Sequence, residues 1–147
     1  MNFVYQIAAG SAVLALCALA HILVLICGIS VLKRLGVAQR NRTTMASGLW
    51  IISLAFAVVV FGHTVQTWIW GAAFFLTGAL PDFADAIYFA LVTTTTLGYG
   101  DITLEPGQRI FGAMAAVSGL LTFGLSTAFL IKTVEAVLTA SDTRGSN

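Results

Sequence analysis

The sequence predicts an all-α membrane protein with three transmembrane helices and, between the second and third, a shorter helix that enters the membrane and turns back. Three observations carry this expectation. Apolar residues make up 59% of the chain and charged residues 9%, which leaves too little polar surface for a water-soluble domain of 147 residues. Three apolar stretches are each long enough to cross a hydrocarbon core, which takes about 20 residues of helix. A fourth apolar stretch is helix-competent but too short to span. The mean hydropathy of +0.95 agrees, and a formal net charge of +1 without a basic, aromatic-interleaved patch argues against a nucleic-acid partner.

Residues 3–32 contain no charged side chain and form the first span. The run is too long for a signal peptide and lacks a basic leader, so it reads as a retained helix. Cys17 and Cys27 both lie in it, about 15 Å apart along a helix, and cannot pair with each other. His21 is an ionisable group in mid-span, expected as a neutral imidazole bonded to a neighbouring helix. Lys33, Arg34, Arg40 and Arg42 then form the densest positive cluster of the chain. The positive-inside rule places this linker in the cytoplasm and the N-terminus outside, in a plasma (inner) membrane. The same four side chains are candidate contacts for anionic lipid headgroups.

The second span covers residues 43–77, with Trp50 near its inner end and Trp68 and Trp70 near its outer end, as expected of interfacial aromatic belts. His63 and Gln66, one turn apart, are expected to hydrogen-bond to the short helix that follows, and His63 is a candidate proton sensor. Pro81 suits the first position of that helix, and Asp82 and Asp85 its positively polarised first turn. Residues 82–95 give about 14 residues, or ~21 Å of helix, which stops midway through the membrane. Such backbone is tolerated only where protein or a water-filled cavity surrounds it.

The third span covers residues 109–138, with Lys132 again at the inner end. Gly112, Ala116 and Gly119 permit close approach of a neighbour. Ser118, Thr122 and Ser126 recur at four-residue spacing on one face and are expected to line a wet cavity. The chain thus divides into an additional N-terminal transmembrane helix at 1–34, a basic cytoplasmic linker at 35–43, a module at 44–140 and a polar, unstructured tail at 141–147.

Between the short helix and the third span lies Thr93, Thr94, Thr95, Thr96, Leu97, Gly98, Tyr99, Gly100, Asp101. A cation stripped of water needs an oxygen at each step of its path, and a backbone offers one carbonyl per residue if successive carbonyls point the same way. Glycine takes positive φ at little steric cost. Gly98 and Gly100, two apart, therefore let alternate residues turn left-handed and bring the carbonyls of Thr96, Leu97, Gly98 and Tyr99 onto one axis. The Thr96 hydroxyl adds an oxygen at the inner end of the row. The side chains of Leu97 and Tyr99 are expected to wedge the strand against the surrounding helices. Asp82, Asp85, Asp101 and Glu105 fall on one side and make an acidic mouth that concentrates cations.

This stretch resembles the selectivity filter of tetrameric potassium channels, whose TVGYG loops supply the carbonyls that replace an ion's hydration shell. Residues 96–100 read Thr-Leu-Gly-Tyr-Gly, with Leu97 in place of valine. Residues 43–140 resemble the family's whole pore module of outer helix, pore helix, filter and inner helix. The resemblance implies a homotetramer around one axis, K+ bound at Thr96, Leu97, Gly98 and Tyr99, no organic cofactor and no catalysis. Thr95 and Asp101 would support the filter. Tyr88 falls where some members have a tryptophan that binds this aspartate, so a Tyr88–Asp101 hydrogen bond is expected; Val92 falls where others place a glutamate. Gly119, or alternatively Gly124, falls at the family's inner-helix hinge. Voltage-gated members precede the module with a helix carrying an arginine ladder, and residues 3–32 carry none. The alternatives are a nonselective or heteromeric cation channel subunit and a nonconducting membrane interaction protein.

Overall fold

The computed structural model describes residues 2–38 and 45–145. Their order is α1 (Phe3–Ala38), α2 (Met45–Leu76), α3 (Phe83–Thr94), a 3₁₀ turn at Pro106–Gln108, and α4 (Arg109–Gly145). No strand occurs among the described residues. Helices α1, α2 and α4 are long and apolar enough to cross a membrane, and α3 is not. The chain is an integral membrane protein of the all-α class expected.

Helix α1 packs on both α2 and α4 of its own chain. Its contacts with α4 advance together along both helices. The Gln6 side chain accepts the backbone N–H of Ile110 at 3.1 Å, and one span further on His21 meets Ser126. The two helices therefore run in the same direction, with α2 antiparallel to them. The Gln6 contact satisfies an amide at the start of α4 that has no partner within its own helix. Helix α1 continues past the expected boundary at 34, so that Lys33 and Arg34 are exposed side chains on its last turns. Arg40 and Arg42 lie outside the described residues. At the other end α4 runs through Gly145, so most of the expected polar tail is helical.

The core is aromatic. Trp70, Phe74 and Phe111 are fully buried, with ring centroids 5.4 to 5.6 Å apart. This corrects the placing of Trp70 in an outer belt. Trp68 is exposed, but two residues advance a helix by about 200°, which turns Trp70 inward. Trp50, at the opposite end of α2, is exposed as expected.

Helix α3 starts at Phe83, two positions after the expected first position at Pro81. The Asp82 carboxylate accepts the backbone N–H groups of Ala84 at 2.8 Å and Asp85 at 3.0 Å, which makes Asp82 the N-cap and leaves Pro81 outside the helix. Twelve residues give about 18 Å of helix. Its buried side, Ala86, Ala90, Val92 and Thr94, lies against α2 and α4.

Candidate ion-conducting site

The backbone after α3 reverses direction by using the helix's own last carbonyls. Thr95 N–H donates to Leu91 at 3.1 Å, Thr96 N–H to Thr93 at 2.9 Å, and the N–H groups of Leu97 and Gly98 both to the Val92 carbonyl at 3.0 and 3.2 Å. A helix leaves its last carbonyls unpaired, and here the amides of the following strand occupy them. The strand's own oxygens remain free: among the described residues, no carbonyl from Thr96 to Gly100 accepts a hydrogen bond.

Along this strand φ is +59° at Thr96, +58° at Gly98 and +79° at Gly100. Alternate residues are left-handed, and the intervening Leu97 and Tyr99 are not. The glycines take this conformation freely, whereas for Thr96 it costs about 1–2 kcal/mol. Thr96 is the only residue other than glycine with positive φ among those described. Its strained backbone was not foreseen from the sequence; the signal was its position two residues before Gly98, in the same alternation.

All five residues of the strand are exposed on the chain. Leu97 is 55% and Tyr99 69% exposed on the single chain, so the chain's own helices do not receive these side chains. The physical reason is that α3 covers one side of the strand only. Tyr88 donates its hydroxyl to Asp101 Oδ2 at 2.6 Å, spanning from α3 to the residue just past the strand. That bond holds the Asp101 carboxyl below its ordinary value and the Tyr88 hydroxyl above its own. Thr95 turns its hydroxyl back to the Leu91 carbonyl at 2.7 Å.

The Tyr88–Asp101 bond sets a pH window. Asp101's contribution is complete above its ordinary value of 3.8 and is lost as pH falls through the lowered one. Tyr88's contribution is complete below 10.0 and is lost as pH rises through the raised value. Tyr88→Phe is therefore expected to speed amide hydrogen exchange in the loop around Asp101 severalfold across neutral pH, and to converge with the wild type at both extremes. Exchange compared between the two proteins over that range checks this, and an unchanged rate at neutral pH would count against a supporting role.

The expected cavity-lining hydroxyls are elsewhere. Ser118, Thr122 and Ser126 are buried between helices of one chain. Gln66 donates to Ser118 Oγ at 3.0 Å and accepts from Thr122 Oγ1 at 2.7 Å, while Ser126 Oγ lies 2.9 Å from His21 Nε2 and 3.2 Å from His63 Nε2. Polar side chains in an apolar span find partners inside the bundle, and this face of α4 is turned toward α2 and α1. The same contacts correct the expected partner of His63 and Gln66, which bond to α4 rather than to α3. The face of α4 left exposed carries Val117, Leu120, Leu121, Gly124 and Thr127.

Gly119 is where α4 touches the end of α3. A β-carbon there would fall inside the carbonyl group of Thr94, so only glycine permits this approach. At Gly124 a β-carbon would meet nothing within 4 Å. Helix α4 runs through both positions.

Comparison with known proteins agrees with this geometry. A family described as "Ion channel" matches residues 62–136, just over half of the chain. Potassium voltage-gated channel subfamily A member 6 of Mus musculus is 32% identical over 101 residues, 65% of this chain and 18% of that protein. Potassium voltage-gated channel subfamily A member 2 of Xenopus laevis is 30% identical over 92 residues, covering 62% and 18%. Subfamily A member 4 of Homo sapiens is 33% identical over 85 residues, covering 57% and 13%. The chain thus spans less than a fifth of the length of these relatives. No solved structure matches it.

Proposed function

This chain belongs to the ion channel family, as a member with the potassium channel pore, and from that premise we propose that four copies surround one axis and conduct K+ passively and selectively. The observation that carries the reading is the strand at 96–100: alternating left-handed residues, amides tied to α3, and carbonyls left free. One strand cannot encircle an ion, and its exposed side chains at Leu97 and Tyr99 are what a neighbouring copy would cover.

In this account K+ enters from an outer mouth bearing Asp82, Asp85, Asp101 and Glu105, which raise its local concentration. It exchanges hydration water for the carbonyls of Thr96, Leu97, Gly98 and Tyr99 and for the Thr96 hydroxyl. Thr96, Leu97, Gly98, Tyr99 and Gly100 form the filter; Thr95, Tyr88 and Asp101 hold its two ends. Selectivity follows from the number, strength and spacing of these oxygens. Below the filter the path is lined from the exposed face of α4, with Val117, Leu121 and Thr127 in place of the buried hydroxyls. The inner helix bends at Gly119 or Gly124.

Orientation follows the charges. Lys33, Arg34, Arg40 and Arg42 lie on the cytoplasmic side of a plasma (inner) membrane, where anionic lipid headgroups meet them, and the N-terminus lies outside. The relatives are voltage-gated by name, yet α1 bears no charge from Phe3 to Leu32. Since one elementary charge in the field is worth about 2.3 kcal/mol per 100 mV, that stretch supplies no voltage sensor.

The test is K+ efflux from loaded proteoliposomes, with barium as blocker. Barium-sensitive efflux is expected. Vesicles that stay tight to K+ in every lipid, pH and voltage condition would favour a nonconducting membrane interaction protein.

A further inference from the structure

The feature that conduction through the filter leaves unused is a cluster deep in the span. His21 of α1 is 1% exposed, Ser126 of α4 is 3% exposed, and His63 of α2 is half-buried. Ser126 Oγ bridges the Nε2 atoms of both imidazoles, whose ring centroids are 4.9 Å apart. His21 lies flat against α2 because position 62 is glycine: a β-carbon there would fall 2.9 Å from Nδ1 and Cε1 of the ring. The buried Nδ1 of His21 has no hydrogen-bond partner.

A hydroxyl has one proton and two lone pairs. With both imidazoles neutral, Ser126 can donate to one Nε2, and the other ring must then donate its own Nε2–H. One more proton gives both rings an Nε2–H. Ser126 then accepts from both and turns its own proton back toward the Thr122 carbonyl, one turn earlier, as intrahelical serines do. A second proton is opposed by the charge of the first, less than 5 Å away between ring centroids.

No other charge faces the cluster among the described residues. On α1 the other titratable neighbour is Cys17, one turn before His21 and beside Ser118. On α2 the next polar group is Gln66, already bonded to Ser118 and Thr122. On α4 the nearest charged side chain is Lys132, about 9 Å further along the helix and paired with Glu135 at 2.8 Å. The titratable side chains of α3, Asp85 and Tyr88, lie at its other end, toward Asp101.

We propose that His21, His63 and Ser126 form a proton-binding site, one proton per subunit, that ties the first helix to the inner helix and makes conduction pH-dependent. The proton binds at Nε2 of half-buried His63, and the Ser126 hydroxyl, which had donated to that atom, turns to accept from both His63 and buried His21. Helix α1 meets α4 at Gln6, on the amide of Ile110, at Cys17, beside Ser118, and at its inner end at His21, on Ser126. The buried charge faces no carboxylate, so it is relieved only when water enters between α1 and α4 at Ser126, two residues past Gly124, whose β-carbon position is open. The inner half of α4 is then free to bend, and flux rises in acid. This last step rests on the channel reading; the proton site does not.

The test uses full-length protein in lipid bilayers with ¹⁵N-labelled histidine, titrated from about pH 8 to 5, the range in which histidine changes charge. The chain has two histidines, so each signal is assigned by a single variant, His21→Gln or His63→Gln. K+ flux is measured on the same preparations. The expected result is one proton taken up per subunit at His63, with the His21 signal shifting at the same pH as its Ser126 partner turns, and with flux rising severalfold toward acid pH in the wild type and flat in His63→Gln. Rings that titrate independently, or stay neutral down to pH 5, would overturn the site. A shared titration with pH-independent flux would overturn its coupling to conduction. A shared titration with no flux at any pH would leave the site standing and sink the channel reading instead.

Discussion

Gly98→Ala is expected to abolish K+ flux while the protein still inserts and assembles. At φ +58° the residue sits where a β-carbon crowds the following carbonyl, not where it strikes a neighbour, since nothing in the chain lies within 4 Å of that point. The cost is about 1–2 kcal/mol per copy, or ~4–8 kcal/mol over the four copies proposed above. The strand escapes it by returning to negative φ, which swings a carbonyl off the axis. At about 1.4 kcal/mol per tenfold, flux should fall by roughly a thousandfold or more. Efflux from proteoliposomes, compared at equal amounts of assembled protein, checks this. Flux within a few-fold of the wild type would mean that the left-handed conformation at 98 is not needed for conduction.

Gly119→Ala is the second large effect, and its cause is packing rather than conformation. The added carbon would overlap backbone, the carbonyl of Thr94, which cannot rotate away as a side chain can. Helix α3 must move, and with it the carbonyls of Leu91, Val92 and Thr93 that hold the amides of 95–98. Overpacking of this kind costs about 1–3 kcal/mol and occasionally more. A lower unfolding temperature and loss of flux are expected together. Gly124→Ala is the control: it meets nothing in the chain and gains about 1 kcal/mol of helix propensity, so stability should hold or rise. Equal stability of the two variants would refute the close contact between α4 and α3.

The three spans were legible because each is an apolar run of sufficient length, a property of local sequence alone. The alternating backbone of 96–100 was legible for a different reason. Two glycines at a spacing of two state a backbone conformation, and the tyrosine, threonine and aspartate around them narrow what it is for. What escaped sequence reasoning was which neighbour each helical face meets. Ser118, Thr122 and Ser126 announce a common face by their spacing, but their partners Gln66, His63 and His21 lie 52, 63 and 105 residues away. Periodicity identifies a face and says nothing about what covers it. Trp68 and Trp70 show the same limit, since an interfacial belt and an aromatic core draw on the same residue type. At Pro81 two competent start signals competed, and the carboxylate of Asp82 won because it satisfies two amides that proline leaves open.

Burial of these polar side chains also changes the picture of the first helix. Gln6, Cys17 and His21 place α1 against α4 of the same chain along its length. It is thus built into the subunit's core beside Trp70, Phe74 and Phe111. A helix packed in this way touches α4 directly.

Selection of K+ by the carbonyls of residues 96–99 is read most directly from the reversal potential in planar bilayers with K+ on one side and Na+ on the other. A preference of about 100-fold is ~2.7 kcal/mol, which at about 2.3 kcal/mol per 100 mV corresponds to a reversal potential near 120 mV. A value of that order, of the sign set by K+, is expected. A reversal potential near zero, with currents intact, would contradict it and leave a nonselective cation pore.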